Sequence, residues 1–348
     1  MIDRDFCNSS FLALRYIEKP DIAFSEKYPY RHPVMPSDSN RLFVKTAQDI
    51  NDALKHQLEE KCSNYKKIGI FLSGGMDSSI LASYLPGKNA YTFRFLGGSF
   101  QQEELHRAER FAKENDLKLH YVDIDWKTVT DNLQDVMISK GGPVHSIEPQ
   151  ICQGARQAKA DGVDLMIIGD ASDYIFGGMD KLLSKDWSFD AFMKRYIYVD
   201  PFEVLKKPVS VQYLFERYRK DGDGIDFVEI IDKLATQESY GSYDNAFNTA
   251  GLDYFDPYEK LKMEAPLDLK RIRSGESKYL IRELFRSKYP NIAIPEKIPM
   301  PRPVDTYFVQ WKGPTRPEFR NDIDIRQYDG NQKWLMWCLE EFLNLFEQ

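Results

Sequence analysis

A glycine-rich turn between an apolar run and a helical segment constrains this chain more than any other feature. Residues 68–72 are apolar and predict a buried strand, and residues 80–85 have the spacing of a helix. Between them, residues 73–79 read Ser-Gly-Gly-Met-Asp-Ser-Ser. A strand, tight turn and helix in this order leave unpaired backbone N–H groups at a helix N-terminus, where the helix dipole adds partial positive charge. The segment therefore predicts a phosphate-binding loop; the plainer alternative is a glycine turn with nothing bound.

The residues of this loop predict a nucleotide together with a metal ion. Gly74 and Gly75 have no Cβ atom, so an anion can approach the main chain closely. Ser78 and Ser79 fall in the first helical turn and can donate their hydroxyls to the same anion. Asp77 would repel phosphate, and its presence is explained best if Mg²⁺ lies between the two. The loop lacks the Gly-Lys-Ser/Thr of a Walker loop, so transfer of a γ-phosphate is not indicated.

Composition and charge count against several classes of function. The chain has 348 residues, 42% of them hydrophobic, which suffices for one large domain or two coupled ones. A net charge of −7 disfavours nucleic acid as a partner, because phosphate affinity comes from clustered Lys and Arg. The four cysteines are scattered without metal or redox spacing, which predicts reduced thiols in a cytoplasmic protein. We see no apolar run of membrane-spanning length and no signal sequence, so no membrane partner is expected.

Strands that alternate with helices predict an α/β fold, a parallel sheet flanked by helices with a helical C-terminal half. Further strands are predicted at residues 90–95, 118–124 and 164–168, and helices at residues 101–115 and 150–159. From about residue 181 the pattern becomes helical, and this half is expected to cap the sheet. Ligands of such sheets bind at the carboxyl ends of the strands, so the loops after the first and fourth strands should face one crevice.

The second of these loops, residues 169–178, is also small, acidic and rich in glycine. Asp173 is predicted to be the second magnesium carboxylate, opposite Asp77, because Mg²⁺ is held by one or two protein carboxylates plus phosphates and water. Asp170 is expected to be an acid or a hydrogen-bond acceptor near the phosphates. The alternative for this loop alone is a turn with capping aspartates. The predicted nucleotide-contacting residues are Leu72, Ser73, Gly74, Gly75, Asp77, Ser78, Ser79, Phe95 and Gly169.

Two lysines complete the predicted site. Lys278 falls in the first turn of a helix predicted at residues 276–285, where a cation is unfavourable unless an anion is near. Lys297 lies between prolines in residues 294–303. Because prolines leave a loop little conformational freedom, the loop would hold this cation in a fixed orientation. For either lysine alone, an exposed surface charge is the alternative.

The two ends of the chain are assigned to regions outside the main domain. The regions are 1–62, an N-terminal arm and helix; 63–310, the ATP-binding domain, with an α/β core at 63–180 and a helical part at 181–310; and 311–348, a C-terminal helical tail. Residues 28–36 are rich in proline and aromatics, and they either pack on the core or line a substrate pocket. The apolar helix predicted at residues 333–346 is expected to pack in the core, with the face of a homodimer as the alternative.

These motifs together resemble the synthetase domain of the asparagine synthetase and β-lactam synthetase family, within the ATP pyrophosphatase superfamily. The first loop is similar to the pyrophosphate loop of that superfamily, and residues 169–178 are similar to the family's Gly-Glu-Gly-Ser/Ala-Asp-Glu-Leu-Phe-Gly-Gly. Residues 278–282 resemble its Lys-Tyr-Leu-Leu-Arg helix, and residues 295–297 fall where it keeps an essential lysine. The likeness runs over roughly residues 65–305 and implies the adenine nucleotide alpha hydrolase-like (PP-loop) fold.

The resemblance also implies an AMP-forming carbon–nitrogen ligase that uses ATP and Mg²⁺. In that family ATP adenylates a small carboxylate, magnesium pyrophosphate leaves into the first loop, and an amine or ammonia attacks the acyl adenylate. By this likeness Asp77 and Asp173 hold the metal, and Lys297 stabilises the charge that develops during the reaction. Lys278 and Asp170 are assigned to catalysis with it.

The chain departs from that family in two places. The family's asparagine synthetases begin with a glutaminase domain whose nucleophile is an N-terminal cysteine, whereas residue 2 here is Ile and 72 residues precede the loop. We therefore expect free ammonia, a small amine or a separate glutaminase as the source of nitrogen. The family's Val-Glu-Ala-Arg-Val-Pro-Phe-Leu-Asp falls on residues 252–259 with its arginine lost, and Asp253 is expected to replace its glutamate. Such stand-alone domains resemble those found in surface-polysaccharide gene sets, which favours a sugar carboxylate as the substrate.

The motifs leave two other functions open. A tRNA-modifying thiolase on the same loop would need a basic face and usually a reactive cysteine pair, and the acidic charge and scattered thiols count against it. A nucleotide-binding scaffold without turnover is the second. The presence of Asp77, Asp173 and Lys297 argues against a loss of catalytic activity, whereas the altered residues 252–259 are compatible with such a loss.

Overall fold

A five-stranded parallel sheet forms the centre of the fold. The computed structural model describes residues 1–96, 101–297 and 303–345, so part of the predicted proline loop, 298–302, and the end of the predicted tail lie outside the described residues. The strands are β1 (Leu42–Val44), β2 (Ile68–Phe71), β3 (Asn89–Phe95), β4 (Lys118–Ile124), β5 (Leu165–Ile167), β6 (Asp253–Phe255) and β7 (Leu261–Met263). Within the described residues, the main sheet has the order β4-β3-β2-β5-β6, and β1 pairs with β7 in a separate parallel pair.

Helices cover both faces of the main sheet. The first ten are α1 (Arg4–Leu14), α2 (Ala47–Cys62), α3 (Met76–Ala82), α4 (Gln102–Glu114), α5 (Trp126–Lys140), α6 (Glu148–Ala160), α7 (Ser172–Ile175), α8 (Asp180–Leu183), α9 (Phe189–Tyr196) and α10 (Pro201–Val204). The others are α11 (Gln212–Glu216), α12 (Phe227–Ile230), α13 (Thr236–Ala250), α14 (Leu269–Arg273), α15 (Tyr279–Lys288), α16 (Val304–Tyr307) and α17 (Gly330–Asn344), with a π-helical turn at Ile231–Ala235 between α12 and α13.

The alternation of side chains along the strands divides the core into two layers. Ile167 belongs to one buried cluster, which α2, α3, α4 and α15 cover. The adjacent Met166 and Ile168 belong to the other cluster, which α1, α5, α6, α13 and α17 cover. This is the expected result of side chains that point to opposite faces of a strand in turn. The α/β prediction, a parallel sheet flanked by helices, is confirmed.

The strand order places a switch point next to the glycine loop. β2 pairs with β3 on one side and with β5 on the other, and both pairings are parallel. The connections from the two strands therefore diverge at the carboxyl ends of β2 and β5, which is where open parallel sheets bind ligands. The prediction that the two loops face one crevice depends on this adjacency, which the structure shows.

The structure contains elements that the sequence did not predict. The helix α5 was missed, because its buried positions are interrupted by polar residues that face the next helix. Residues 4–14, within the predicted N-terminal arm, form α1, in which the Asp3 carboxylate accepts the Phe6 amide at 2.9 Å. The C-terminal half is mainly helical, as predicted, but it also contributes β6 to the sheet. This edge strand was missed because its three residues give only a weak periodic signal.

The N-terminal arm packs on the core. Arg31 donates its backbone N–H to the Lys140 carbonyl at 2.8 Å, so residues 28–36 lie against the end of α5. Within the described residues, no aromatic side chain of this arm lines the cavity described below. Packing is therefore the better of the two interpretations. Across residues 1–96, 101–297 and 303–345, no helix combines the length and apolarity that a membrane crossing requires.

Candidate active site

The glycine loop joins β2 to α3 with the backbone that its sequence predicts. Gly75 occupies the N-cap position of α3 and supplies no side-chain cap. Gly74 has a φ of 74°. A Cβ atom on it would lie 2.6 Å from Arg107 Cβ and 2.8 Å from Ala108 N, both on α4. Glycine is therefore required at this position by the left-handed backbone and by the close approach of α4.

A cavity of about 230 Å³ lies at the carboxyl ends of β2 and β5. Of the predicted site residues, those that line it are Leu72, Ser73, Gly75, Asp77, Ser78, Gly169, Asp170, Asp173, Lys278 and Lys297. The other three lie behind its wall. The Ser79 hydroxyl donates to the Gly75 carbonyl at 2.7 Å, Gly74 packs against α4, and Phe95 is buried in the hydrophobic cluster. These three therefore support the wall rather than face the cavity.

An ion centre connects four of the predicted residues across the cavity. Lys278 donates from Nζ to Asp77 Oδ2 at 2.6 Å, and its ammonium also contacts Asp173. Lys297 donates to Asp173 Oδ2 at 2.9 Å and to the Gly178 carbonyl at 2.8 Å. The two aspartates thus face one point in space, which the Lys278 ammonium occupies.

The backbone around this centre is specialised for close approach. Lys278 was predicted in the first turn of a helix, but it is the N-cap of α15, with φ 53° and ψ 40°. A left-handed lysine costs on the order of 1 kcal/mol, so its neighbours must hold it there. A Cβ atom on Gly178 would collide with Asp173 Oδ1 and Lys278 Cε. The glycine therefore leaves the space in which the lysine and the carboxylate meet.

The charge states at this centre follow from burial and from opposite charges. Burial alone would raise the pKa of the Asp173 carboxyl, but the ammonium groups of Lys278 and Lys297 outweigh it and hold the pKa below its usual value. For Lys278, burial would lower the pKa, but Asp173 and Asp77 outweigh it and raise the pKa. The Asp173 carboxylate and the Lys278 ammonium are therefore both ionised at neutral pH, and the lysine side chain is only 5% exposed.

Asp170 is buried beside this centre, but its electrostatics are different. Its carboxylate accepts a hydrogen bond from the Ser239 hydroxyl, and its pKa is raised to about 7. Burial is the main cause; Ser239 and Lys278 oppose it, whereas Asp173 and Glu238 add to it. A carboxylate with a pKa close to neutrality is suited to accept and release a proton.

The N-terminal helix supports the partner of Asp170. Arg15, which ends α1, contacts Glu238 at 3.1 Å, and His145 contacts the other oxygen of the same carboxylate at 3.0 Å. Burial would raise the pKa of Glu238, but Arg15 and His145 hold it at about 2. Glu238 directly precedes Ser239 in α13, so these contacts fix the helix that presents the hydroxyl to Asp170. No local pattern in the sequence indicates this support.

Two more side chains orient Asp77. Ser172 donates to Asp77 Oδ1 at 2.6 Å, and the Tyr258 hydroxyl donates to the Asp77 backbone carbonyl at 3.2 Å. Sequence reasoning missed both roles. Ser172 lies inside the second acidic loop, so a hydroxyl at that position was the sequence signal that could have indicated its role. Tyr258 is buried near the end of residues 252–259, and only the fold shows its partner.

The structure places Asp253, the candidate substitute for the family glutamate, away from the cavity. Asp253 begins β6, is exposed, and accepts a hydrogen bond from Tyr65 at 2.8 Å, at the edge of the sheet opposite the cavity. The acid that supports the site is Asp256, at the carboxyl end of β6. Its Oδ2 accepts the backbone N–H groups of Asp170 and Ala171, each at 2.8 Å. A parallel strand brings only its carboxyl end to the site, which explains the difference.

The residues present suit a magnesium ion. Two carboxylates from different loops contact one positive charge, and Mg²⁺ is bound in proteins by one or two carboxylates plus phosphates. Gly178 has no Cβ atom, which lets the Asp173 carboxylate and the positive charge of Lys278 come together at this point. Asp77 and Asp173 are the residues that would hold the ion.

Comparisons with known proteins show the family to which the chain is similar. Residues 49–245, more than half of the chain, match the family model described as asparagine synthase. A Methanocaldococcus jannaschii protein, named as a glutamine-hydrolyzing asparagine synthetase, is 27% identical over 148 residues. That match covers 40% of this chain and 26% of the relative, so the chain spans only about a quarter of that protein's length.

Two similar solved structures are of enzymes that are named for other activities. The U34-tRNA thiolase NcsA from Methanococcus maripaludis is 13% identical, with 72% of this chain and 82% of that chain covered and a TM-score of 0.30. The NMN synthetase from Francisella tularensis is 11% identical, with 73% of this chain and 100% of that chain covered and a TM-score of 0.30. Likenesses at this TM-score carry no argument about function.

Proposed function

Because this chain belongs to the asparagine synthase family, we propose that it is an ATP-dependent, AMP-forming carbon–nitrogen ligase. It adenylates a small carboxylate, releases pyrophosphate, and transfers the acyl group to ammonia or an amine. The observation that carries the proposal is the meeting of Asp77 and Asp173, from loops at the ends of adjacent strands, on the ammonium of Lys278.

In the first step, an oxygen of the carboxylate substrate forms a bond to the α-phosphorus of ATP, and the bond to the β-phosphate breaks. Bound by Asp77 and Asp173, Mg²⁺ would neutralise charge on the phosphates. Lys278 and Lys297 line the same cavity as the glycine loop and supply fixed positive charge where the leaving group becomes more negative. Lys297 is held toward the cavity by Asp173 and the Gly178 carbonyl.

In the second step, the amine nitrogen forms a bond to the acyl carbon, and the bond between that carbon and AMP breaks. The attacking nitrogen must lose a proton. Asp170 is the acceptor that we propose, because it lines the cavity and its pKa is raised to about 7. Ser239, fixed through Glu238 and Arg15, keeps the carboxylate in position.

The identities of both substrates are part of the proposal. We propose a sugar carboxylate as the acyl donor, on the resemblance to synthetase domains of surface-polysaccharide gene sets. The nitrogen donor that we propose is ammonia or an amine. The loss of the family's arginine in residues 252–259 supports a carboxylate other than aspartate.

Carboxylate-dependent exchange of labelled pyrophosphate into ATP tests the first step without the amine. We expect one class in a panel of uronic acids, amino acids and simple carboxylates to support exchange, and the full reaction to yield AMP and pyrophosphate. Asp77→Ala should lower exchange at least about 100-fold, as removal of one electrostatic group does. Asp131→Ala, a change at an exposed aspartate on α5, is the matched control. Formation of ADP and phosphate would overturn the proposal.

A further inference from the structure

A second cavity adjoins the first at its phosphate end. It has a volume of about 650 Å³, compared with about 230 Å³ for the first. Ser277, Arg282 and residues 295–297 line both cavities, so the two share one wall. Ligand sites usually have volumes of roughly 300–1,000 Å³, so the adjoining cavity adds space for substrates or products beyond the about 230 Å³ of the first. The second cavity is the adjoining space on the side of Lys297.

The shared wall contains an arginine that pairs with no carboxylate in the described part of the chain. Arg282 donates from Nε to the Ser277 carbonyl at 2.7 Å, and its two terminal nitrogens have no acceptor within residues 1–96, 101–297 and 303–345. The acids nearest to it in sequence are engaged elsewhere, since Arg271 pairs with Glu276 at 2.8 Å and with Glu283 at 3.2 Å. One edge of the Arg282 guanidinium is thus anchored, and its forked end is available to a ligand.

Arg282 and Lys278 lie on the same helix, with Lys278 closer to the glycine loop and Arg282 closer to the second cavity. Arg282 donates its backbone N–H to the Lys278 carbonyl at 2.8 Å, so the two cations follow one another along one turn of α15. Lys278 faces the glycine loop through Asp77, whereas Arg282 also borders the second cavity. Arg107 holds the opposite side of the wall through the Glu296 carbonyl, at 2.7 Å. Positive charge therefore continues from the phosphate loop into the second cavity.

We propose that Arg282 and the second cavity form a release site for magnesium pyrophosphate, the leaving group of the first step. The inference rests on the proposed function. An arginine fork matches two phosphate oxygens, which a lysine cannot do. The second cavity also contains Asp180 and Glu296. Such a mixture of cation and carboxylates suits an anion that carries its own divalent cation. Arg273, the other arginine of this cavity, is already engaged with the Leu183 carbonyl and Asp186.

Calorimetric titration with pyrophosphate in the presence of Mg²⁺ tests the site directly. Loss of a charge-assisted hydrogen-bonding group should weaken binding roughly tenfold or more in Arg282→Gln. Arg282→Lys, which keeps the charge but not the fork, should fall between that variant and the wild type. Arg286→Gln, an exposed arginine on the same helix, should leave binding unchanged. Thermal unfolding of each variant confirms that it is folded.

Two further measurements separate this site from the alternatives. The affinity for a non-hydrolysable ATP analogue should change less than threefold in Arg282→Gln, and the inhibition constant of pyrophosphate in the full reaction should rise with its dissociation constant. Equal losses for the analogue and for pyrophosphate would place Arg282 in the ATP site and overturn the proposal. Unchanged pyrophosphate binding in Arg282→Gln would also overturn the proposal. If the KM of the carboxylate rises in that case, the second cavity is assigned to the carboxylate instead.

The outcomes also distinguish this proposal from the proposed function. If the wild type catalyses pyrophosphate exchange but binds pyrophosphate no better than Arg282→Gln does, the release site is rejected and the ligase proposal is retained. If pyrophosphate binding depends on Arg282 but no carboxylate supports exchange, the anion site is retained and the ligase proposal is rejected.

Discussion

Lys278 Nζ donates to Asp77 Oδ2 at 2.6 Å, although 201 residues separate the two in the chain. The lysine occupies the point where a cation would join the two carboxylates. Its charge relieves the repulsion between Asp77 and Asp173. The ion centre therefore has two functions: it keeps the carboxylates in place, and it supplies positive charge to the phosphates when they bind. The following predictions test these relationships.

Lys278→Met should destabilise the metal-free protein by about 3 kcal/mol, because it removes a buried charge and leaves two half-buried carboxylates without their counter-charge. Mg²⁺ should restore more stability to this variant than to the wild type, since the ion replaces the missing charge. Thermal unfolding in a chelator and in Mg²⁺ measures both effects. Lys55→Met, at an exposed lysine on α2, is the control. A variant as stable as wild type in the chelator would show that the centre is not needed for stability.

Gly178→Ala should reduce both stability and exchange activity. The added methyl group collides with Asp173 and Lys278, and overpacking of this kind costs roughly 1–3 kcal/mol. The matched control is Gly224→Ala, because the nearest atom to a Cβ there is at 3.6 Å. Thermal unfolding and pyrophosphate exchange are measured on both variants. Equal behaviour of the two would contradict the close approach seen at Gly178.

The rate of amide formation should rise with pH through about 7 and then level off, because Asp170 accepts a proton only when it is ionised and its pKa is about 7. The Ser239 hydrogen bond lowers this pKa. Ser239→Ala should therefore move the midpoint to higher pH, while Ser274→Ala, at an exposed serine, should not. Asp170→Asn should lose amide formation at every pH. A profile unaffected by Ser239→Ala would remove Asp170 from the proton transfer.

Asp256→Ala should impair the site, whereas Asp253→Ala should not. Asp256 accepts two buried backbone N–H groups of the second loop, and an unpaired buried polar group costs roughly 1–3 kcal/mol. Asp253 makes one exposed contact with Tyr65. We expect Asp256→Ala to lower thermal stability and to raise the KM of ATP in the exchange assay. The reverse pattern would restore Asp253 as the substitute for the family glutamate.

Local patterns in the sequence predicted much of the fold. The strand at residues 118–124 was predicted with the bounds that the structure has, and the others agree within one or two residues. The central strands β2 and β5 are continuous apolar runs, because both of their faces are buried, whereas β3 and β4 alternate apolar and polar residues. The three-residue β6 was missed, since so short a strand has no measurable period.

The sequence by itself determined the glycine loop, the second acidic loop and the identity of the two lysines, because each depends on residue types at fixed local spacing. Only the tertiary structure decided that Lys278 lies between Asp77 and Asp173, that Asp256 rather than Asp253 reaches the site, and that Arg15 supports the helix of Ser239. These relationships join residues far apart in the chain. They follow from strand register, from strand order and from the left-handed backbone of Lys278, none of which has a periodic signature in the sequence.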